Sequence, residues 1–338
     1  MSVLFMESFD HWASAQLPGK FSGMVNSGSY ITVETGGGRF STNGMGINGN
    51  WAFVWKTVPS ATTYYIGFAY KYPSELVTAH SICTFESGTQ CQVTLGMRAD
   101  VHFLTLQTGD RDIRSGTVLW TSSSALTPDV WNYIEIKVTI GDSANYIVKV
   151  NGVEWVNTTG DTKPASATDI TQITFGNTTN VGSSGNRRYY DDIWIADDQL
   201  YGDSRIQCIV PTEPGNYAQW TPSAGNNWDC VEEKPPVTTD FVSSGTAGQI
   251  DTYVVENVTP TTGTVVAVAG NFYAQKSDAG ARSIAIATRL GGTDDAGSGI
   301  ALPSSWGYLQ DIKATKPGGG AWAIADVNNA EFGVKMIA

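Results

Sequence analysis

The chain has 338 residues, 37 of them glycine, with 11 Trp, 14 Tyr and 12 Phe but only 15% charged residues. That length predicts two domains, each able to bury its own core, and the Gly-, Ser-, Thr- and aromatic-rich texture predicts an all-β class of short strands and tight turns. A formal net charge of −12 excludes a phosphate-tracking surface, and so nucleic acid as a partner, because such a surface needs clustered Lys and Arg.

Met1 to Asp10 carry no basic n-region and break their apolar run at Glu7, which does not read as a secretory signal. The expectation is a protein made and kept in a cytoplasm. No segment approaches the roughly 20 apolar residues of a membrane helix, so no membrane insertion is expected. Residues 1 to about 200 read as successive strands, among them Thr63 to Tyr72, Gln92 to Met97 and Val101 to Gln107, punctuated by Gly, Ser and Asn. Four cysteines occur, Cys83 with Cys91 and Cys208 with Cys230. The first pair flanks Ser87-Gly88, so facing hairpin positions are conceivable, but a reducing compartment favours free buried thiols. His11, His80 and His102 are scattered and complete no zinc set.

From Trp131 the pattern sharpens. Ile134, Ile136, Val138 and Ile140 alternate onto one face, a core face. Tyr146 to Val150 then ends in Asn151-Gly152, the dipeptide best suited to a two-residue hairpin turn, and Val153 to Val156 returns. This Trp-led strand, the strand closing on Val150-Asn151-Gly152, Ile173-Thr174-Phe175-Gly176 and the run Tyr189 to Ile195 together resemble the concanavalin A-like lectin/glucanase and laminin G group. The resemblance covers about 200 residues. It implies an antiparallel β-sandwich (jelly roll) whose last strand returns to pair near the N-terminal strand.

Beyond Gly202 the texture changes. Asp203 to Val210 reads as one more strand, followed by Pro-, Gly- and Asn-rich sequence through Pro235-Pro236 that reads as a connection. Ile250 to Asn257, Thr264 to Gln275 and Arg282 to Leu290 read as strands. Trp322 to Phe332 reads as a short helix ended by Gly333, and Val334 to Ile337 as a closing strand. The runs Gly202 to Ile206, Asp251 to Val254, Ala274 to Ile284 and Ala321 to Lys335 resemble the C-terminal halves of tailed-phage virion proteins of the tail or minor structural type. Ala323 departs from that pattern, where a capping Thr is commoner. The expected layout is a sandwich over 1–201, a connecting strand and Pro/Thr-rich linker over 202–245, and a smaller β module with one short helix over 246–338.

Chemical motifs are scarce. Glucanases on this fold carry Glu-x-Asp-x-Glu on one strand, so that two carboxylates reach one glycosidic bond. Here the Trp131 to Ile140 strand has Glu135 alone, with Lys137 where a partner would stand. No Gly-x-Ser-x-Gly elbow, His-Glu-x-x-His or phosphate-binding loop occurs. Asp191-Asp192 is a candidate calcium pair, against the plainer reading that Asp192 faces solvent or bonds a neighbouring loop while Ile193 and Ile195 enter the core. Trp12, Trp51, Trp55, Tyr64, Tyr70, Tyr72 and Trp155 could stack on sugars. Trp51 and Trp55 read as core, leaving Trp155, Tyr70 and Tyr72 as glycan-binding candidates.

The functional expectation is a non-enzymatic structural protein of a phage particle, assembled in the host cytoplasm and displayed on the virion as capsid decoration or tail adaptor. Its expected partners are other virion proteins, copies of itself in a homo-oligomer, and a host-surface glycan. The alternative is a receptor-recognition fibre or carbohydrate-binding adhesin. A glycosidase or depolymerase would need two acids brought together by loops.

Overall fold

A computed structural model of the chain describes residues 3–11, 19–26, 30–75, 78–98, 101–164, 166–178 and 187–338. They are almost entirely β and divide into two compact units, residues 1–9 with 13–206, and residues 10–12 with 207–338.

The first unit contains β1 Val3–Glu7, β2 Gly23–Asn26, β3 Ile31–Glu34, β4 Gly44–Ile47, β5 Ala52–Ala61, β6 Thr63–Lys71, β7 His80–Ser87 and β8 Gln90–Met97. It continues with β9 Phe103–Thr108, β10 Thr117–Ala125, β11 Asn132–Thr139, β12 Ala144–Val150, β13 Val153–Gly160, β14 Ile170–Asn177 and β15 Arg188–Ala196. All pairings are antiparallel. An eight-stranded sheet runs β13-β12-β11-β6-β15-β4-β3 with β1 added to β15, and a seven-stranded sheet runs β10-β9-β8-β7-β14-β5-β2.

Alternation decides which side chains meet between the sheets. Ile134, Ile136 and Val138 of β11 are fully buried, and Phe68 of β6 meets Phe175 of β14 edge-on at 5.7 Å between ring centroids. Asn151 and Gly152 take φ of 50° and 78° and close the expected two-residue hairpin with Val150 opposite Val153. β15 returns to pair with β1, Phe5 facing Ile195, as the resemblance implies. The four cysteines are free, Cys83 and Cys230 buried. Cys83 and Cys91 do not face each other, because Cys83 opposes Leu95 and Cys91 opposes Glu86.

The second unit holds β16 Pro211–Ala218, β17 Thr221–Pro222, β18 Val242–Ser243, β19 Ile250–Val255, β20 Val268–Ala274, β21 Ser283–Leu290, β22 Thr293–Ala296, β23 Ile300–Ala301, β24 Gly307–Lys313, α1 Ile324–Asn329 and β25 Glu331–Met336. Its main sheet runs β16-β19-β25-β21-β22, with β23 on β21. Ile284, Val334 and Met336 form one core cluster, and Trp322, Val327 and Ala330 another. No helix among the described residues is long and apolar enough to cross a membrane.

Three expectations are corrected here. Asp203 to Val210 is not a strand. Residues 207–245 are part of the second unit rather than a linker, since β16 pairs with β19 and Trp220 joins the Ile284 cluster. The helix ends at Ala330, well before Gly333, which lies inside β25, where a Cβ would come within 1.9 Å of the Asp251 carbonyl oxygen. The helix start lacks a capping hydroxyl, and the Asp326 carboxylate reaches back instead to accept the Ala323 N–H at 2.9 Å.

Candidate functional site

The outer face of the seven-stranded sheet carries the side chains left over once the core face is assigned. On β14, Ile173 and Phe175 enter the core, so Gln172 and Thr174 point outward. Pairing partners extend this into a lateral row of Trp55, Thr174, Thr84, Thr94 and Gln107, one residue from each of β5, β14, β7, β8 and β9. Four strand spacings make the row about 19 Å long. Beside it run Thr57, Gln172 and Glu86, and Gln92 follows where the β7–β8 register shifts between Phe85 and Glu86.

Within the seven strands, charge on this face is confined to one residue. Glu86 is the single carboxylate in the seven strands and is fully buried. Arg111 grips it with both prongs, Nε donating to Oε1 at 2.6 Å and Nη2 to Oε2 at 2.8 Å, and Gln172 Nε2 donates to Oε2 at 2.5 Å. Burial raises the Glu86 carboxyl above its ordinary pKa, with Arg111 and Gln172 pulling the other way.

Arg111 belongs to the loop 109–116, which folds over the Gln107 end of the row. Gln107 Nε2 donates to the carbonyls of Asp110 and Asp112 at 3.0 and 2.6 Å, and Thr94 Oγ1 donates to Asp110 at 2.9 Å. Ile113 lies on Gly96, where a Cβ would come within 2.6 Å of Ile113 Cγ1; the glycine makes room for the loop. The Trp55 end has no such cover. Thr57 is exposed, Trp55 and Gln172 are half-buried, and the Trp55 ring lies across Gly23 of the edge strand β2, where a Cβ would meet it at 2.0 Å.

Several buried polar atoms on this face have no hydrogen-bond partner among the described residues: Thr84 Oγ1, Gln107 Oε1 and both amide atoms of Gln92. Each such atom costs about 1–3 kcal/mol in a finished fold, and a native protein rarely leaves several together. These atoms have no exposed surface, and what the face presents outward is its Trp55 end, with Thr57 exposed and Gln172 half-buried. It cannot offer the two free carboxyl groups that glycoside hydrolysis uses.

The residues singled out from sequence fall elsewhere. Tyr70 and Tyr72 are corrected: both are completely buried in the core, stacked at 5.8 Å. The Tyr70 hydroxyl is 2.8 Å from His80 Nε2, and the Tyr72 hydroxyl donates to the Leu126 carbonyl at 2.7 Å. Neither can reach a glycan. Trp155 is half-buried on β13, an edge of the other sheet, so the three candidates do not converge. Trp51 is 41% exposed rather than core, and Trp12 lies outside the described residues.

Asp191 and Asp192 form a closed anchor. Asp191 Oδ2 accepts the Arg39 N–H at 2.7 Å and the Thr42 hydroxyl at 3.3 Å, and its Oδ1 accepts the Asp192 N–H at 2.8 Å. Asp192 Oδ1 accepts the Ile206 N–H at 2.7 Å, and its Oδ2 faces the Arg39 guanidinium at 3.5 Å. With donors already on these oxygens, and no group of three metal-ligating side chains among the described residues, the pair does not fit a calcium site of six to eight oxygens. The loop-bonding alternative describes Asp192 as it stands. Glu135 is also tied down, accepting the Gly202 N–H at 2.7 Å.

Sequence reasoning missed the polar row itself. Its signal is alternation within Gln92-Val93-Thr94-Leu95, Leu104-Thr105-Leu106-Gln107 and Gln172-Ile173-Thr174-Phe175, which marks strands without saying what the polar side faces.

No protein-family model and no curated protein matches the sequence. Solved structures similar in fold include an endo-β-1,4-glucuronan lyase from the fungus Trichoderma reesei, at TM-score 0.45 and 8% identity over 57% of this chain and 95% of that one. The alginate lyase Aly36B matches at TM-score 0.43 and 12% identity over 58% of this chain and 98% of that one. The cellulose-induced protein Cip1 matches at TM-score 0.42 and 16% identity over 60% of this chain and 99% of that one. At these values the likeness carries no functional argument.

Proposed function

We propose that this chain is a non-enzymatic component of a tailed-phage particle, and that its sandwich holds a glycan on the outer face of the seven-stranded sheet. The observation that carries the glycan reading is the uncovered end of the row, where the half-buried Trp55 ring stands beside the exposed Thr57 and the half-buried Gln172. Sugar hydroxyls both donate and accept, so they match the Thr57 hydroxyl and the Gln172 amide at that end. The exposed side of Trp55 supplies a ring face at the uncovered end of the row. The lone, ion-paired Glu86 supports binding without turnover.

The phage placement rests on the sequence resemblance of residues 202–335. In this reading the second unit attaches to capsid or tail proteins, and copies of the chain displayed together strengthen a weak glycan contact. A glycan-holding face favours host-receptor recognition over bare decoration. The test has three readouts. The full chain should be retarded in gels cast with host-surface polysaccharide, should release no reducing ends from it on long incubation, and should be detected by mass spectrometry in purified particles. Free migration in every gel would overturn the glycan reading; accumulating reducing ends, the non-enzymatic one; absence from particles, the phage placement.

A further inference from the structure

We infer that the glycan lies lengthwise along β5, its successive sugar rings stacked on Trp55 and Trp51, and that the ligand is a single polysaccharide chain rather than the flat surface of an insoluble one. The inference rests on the glycan reading above and deepens it. Ala52 and Val54 are fully buried in the core, so alternation turns Phe53 and Trp55 to the outer face, together with Trp51 immediately before the strand. The three rings touch in succession: Trp51 and Phe53 meet at 5.7 Å between centroids, Phe53 and Trp55 at 6.0 Å. Phe53 is buried and acts as a wedge between two indoles that solvent reaches.

The flanks of this ridge are low. On the edge strand β2, Gly23 and Val25 stand opposite Trp55 and Phe53, and on β14 Thr174 and Gly176 stand opposite the same two residues. Each ring thus has a glycine on one side, where no side chain rises to wall it off. Lys56, the one charged residue of β5, points to the other side of the sheet, where its Nζ donates to the Lys20 carbonyl. The backbone presents Trp51 at a cost. Its φ is 52°, in the left-handed region that a bulky residue rarely adopts, and the indole is left largely open to water. A fold gains nothing by straining its backbone to hold a large apolar ring in solvent, and such outliers collect at ligand clamps.

The ring planes select the form of the ligand. Trp51 and Phe53 are 85° apart and Phe53 and Trp55 46° apart, and no arrangement satisfying both angles puts the two indoles in one plane. A flat crystalline face needs coplanar rings to lie on. A single chain in solution turns about its glycosidic bonds and can offer the C–H face of one sugar to Trp55 and that of a later sugar to Trp51.

Calorimetric titration of the full chain tests this with glucomannan, galactomannan, dextran and laminarin as soluble probes, and pull-down with microcrystalline cellulose and crystalline chitin as insoluble ones. At least one soluble polymer should bind, and neither insoluble one should deplete the protein from solution. Trp55→Ala and Trp51→Ala should each weaken the bound polymer roughly five- to tenfold, the worth of one aromatic stack. Trp51→Gly, which suits that backbone, should weaken it as much with its circular dichroism unchanged, and Trp51→Phe should recover part of the loss. For oligosaccharides cut from the same polymer, the Trp51→Ala effect should grow with length, since only the longer ones reach from Trp55 to Trp51.

Wild-type affinity in the Trp51 variants with weakened binding in Trp55→Ala would lay the glycan across the strands, and capture by cellulose or chitin would make the ligand a surface; either overturns the inference and leaves the glycan reading standing. Wild-type affinity in both alanine variants would move the ligand off this face and overturn both. Silence from every probe would remove the glycan reading together with the inference.

Discussion

Two buried polar clusters in the sandwich have opposite accounts. Around Asp191 and Asp192, carboxylate oxygens, backbone N–H groups, Thr42 and Arg39 answer one another, and the product is a pinned loop. Around Glu86 the ion pair is answered, yet Gln92, Thr84 and Gln107 keep unpaired atoms within the same sheet face. A closed network spends its donors on architecture. An open one keeps buried donors and acceptors unanswered, at a standing cost to stability.

The contrast can be broken by substitution. The largest effect is expected from Asp191→Ala, which strands the Arg39 N–H and the Asp192 N–H together. Denaturant unfolding should report a loss of about 3 kcal/mol, with glycan binding by the folded fraction intact. Equal loss of binding would mean that the anchor also shapes the site.

Next comes Lys56, where two lysines share one buried glutamate. Burial, then repulsion from Lys20, lowers its pKa from 10.5 to about 8, a difference of roughly 3 kcal/mol between its protonation states. The unfolded chain therefore binds more protons between pH 8 and 10.5, and stability rises with pH across that window. Lys56→Met should raise stability near neutral pH by about 2 kcal/mol, after subtracting the lost bond to the Lys20 carbonyl, and should flatten that alkaline rise. An unchanged pH profile would locate the protonation elsewhere.

Gln92→Leu should be smaller and opposite in sign to Asp191→Ala. Removing an unpaired amide should leave stability unchanged or raise it by about 1 kcal/mol. A loss of 2 kcal/mol or more would mean that the amide is satisfied in solution and that the face is architectural. The smallest effect is none at all: a chelator should leave the thermal midpoint where it is, whereas a drop restored by calcium would return Asp191 and Asp192 to the role of metal ligands.

Much of the fold was legible wherever one physical signal dominated. The alternation of Ile134, Ile136 and Val138 and the Asn151-Gly152 turn fix β11 to β13 from sequence, since a one-residue slip would turn every core side chain to solvent. β16 was illegible because Pro211 and Pro214 argue against a strand, yet it is the sheet's edge, where a missing N–H leaves no ladder bond unmade. Gly333 reads as a helix terminator but is a close-packing residue between strands. The candidate site was harder still. Alternating Thr and Gln declare two faces, but only the long-range pairing of β14 with both β5 and β7 aligns residues more than 100 positions apart into one row. For the same reason Tyr70 and Tyr72 read as surface aromatics, since the sequence cannot say that a second sheet covers them.

The most direct test of the central claim is hydrogen–deuterium exchange on the full chain with and without a bound polysaccharide. The account expects added protection in β5 and β14 around Trp55, Thr57 and Gln172, and none in β13 around Trp155. Protection confined to β13, or to the second unit, with β5 unchanged, would contradict it.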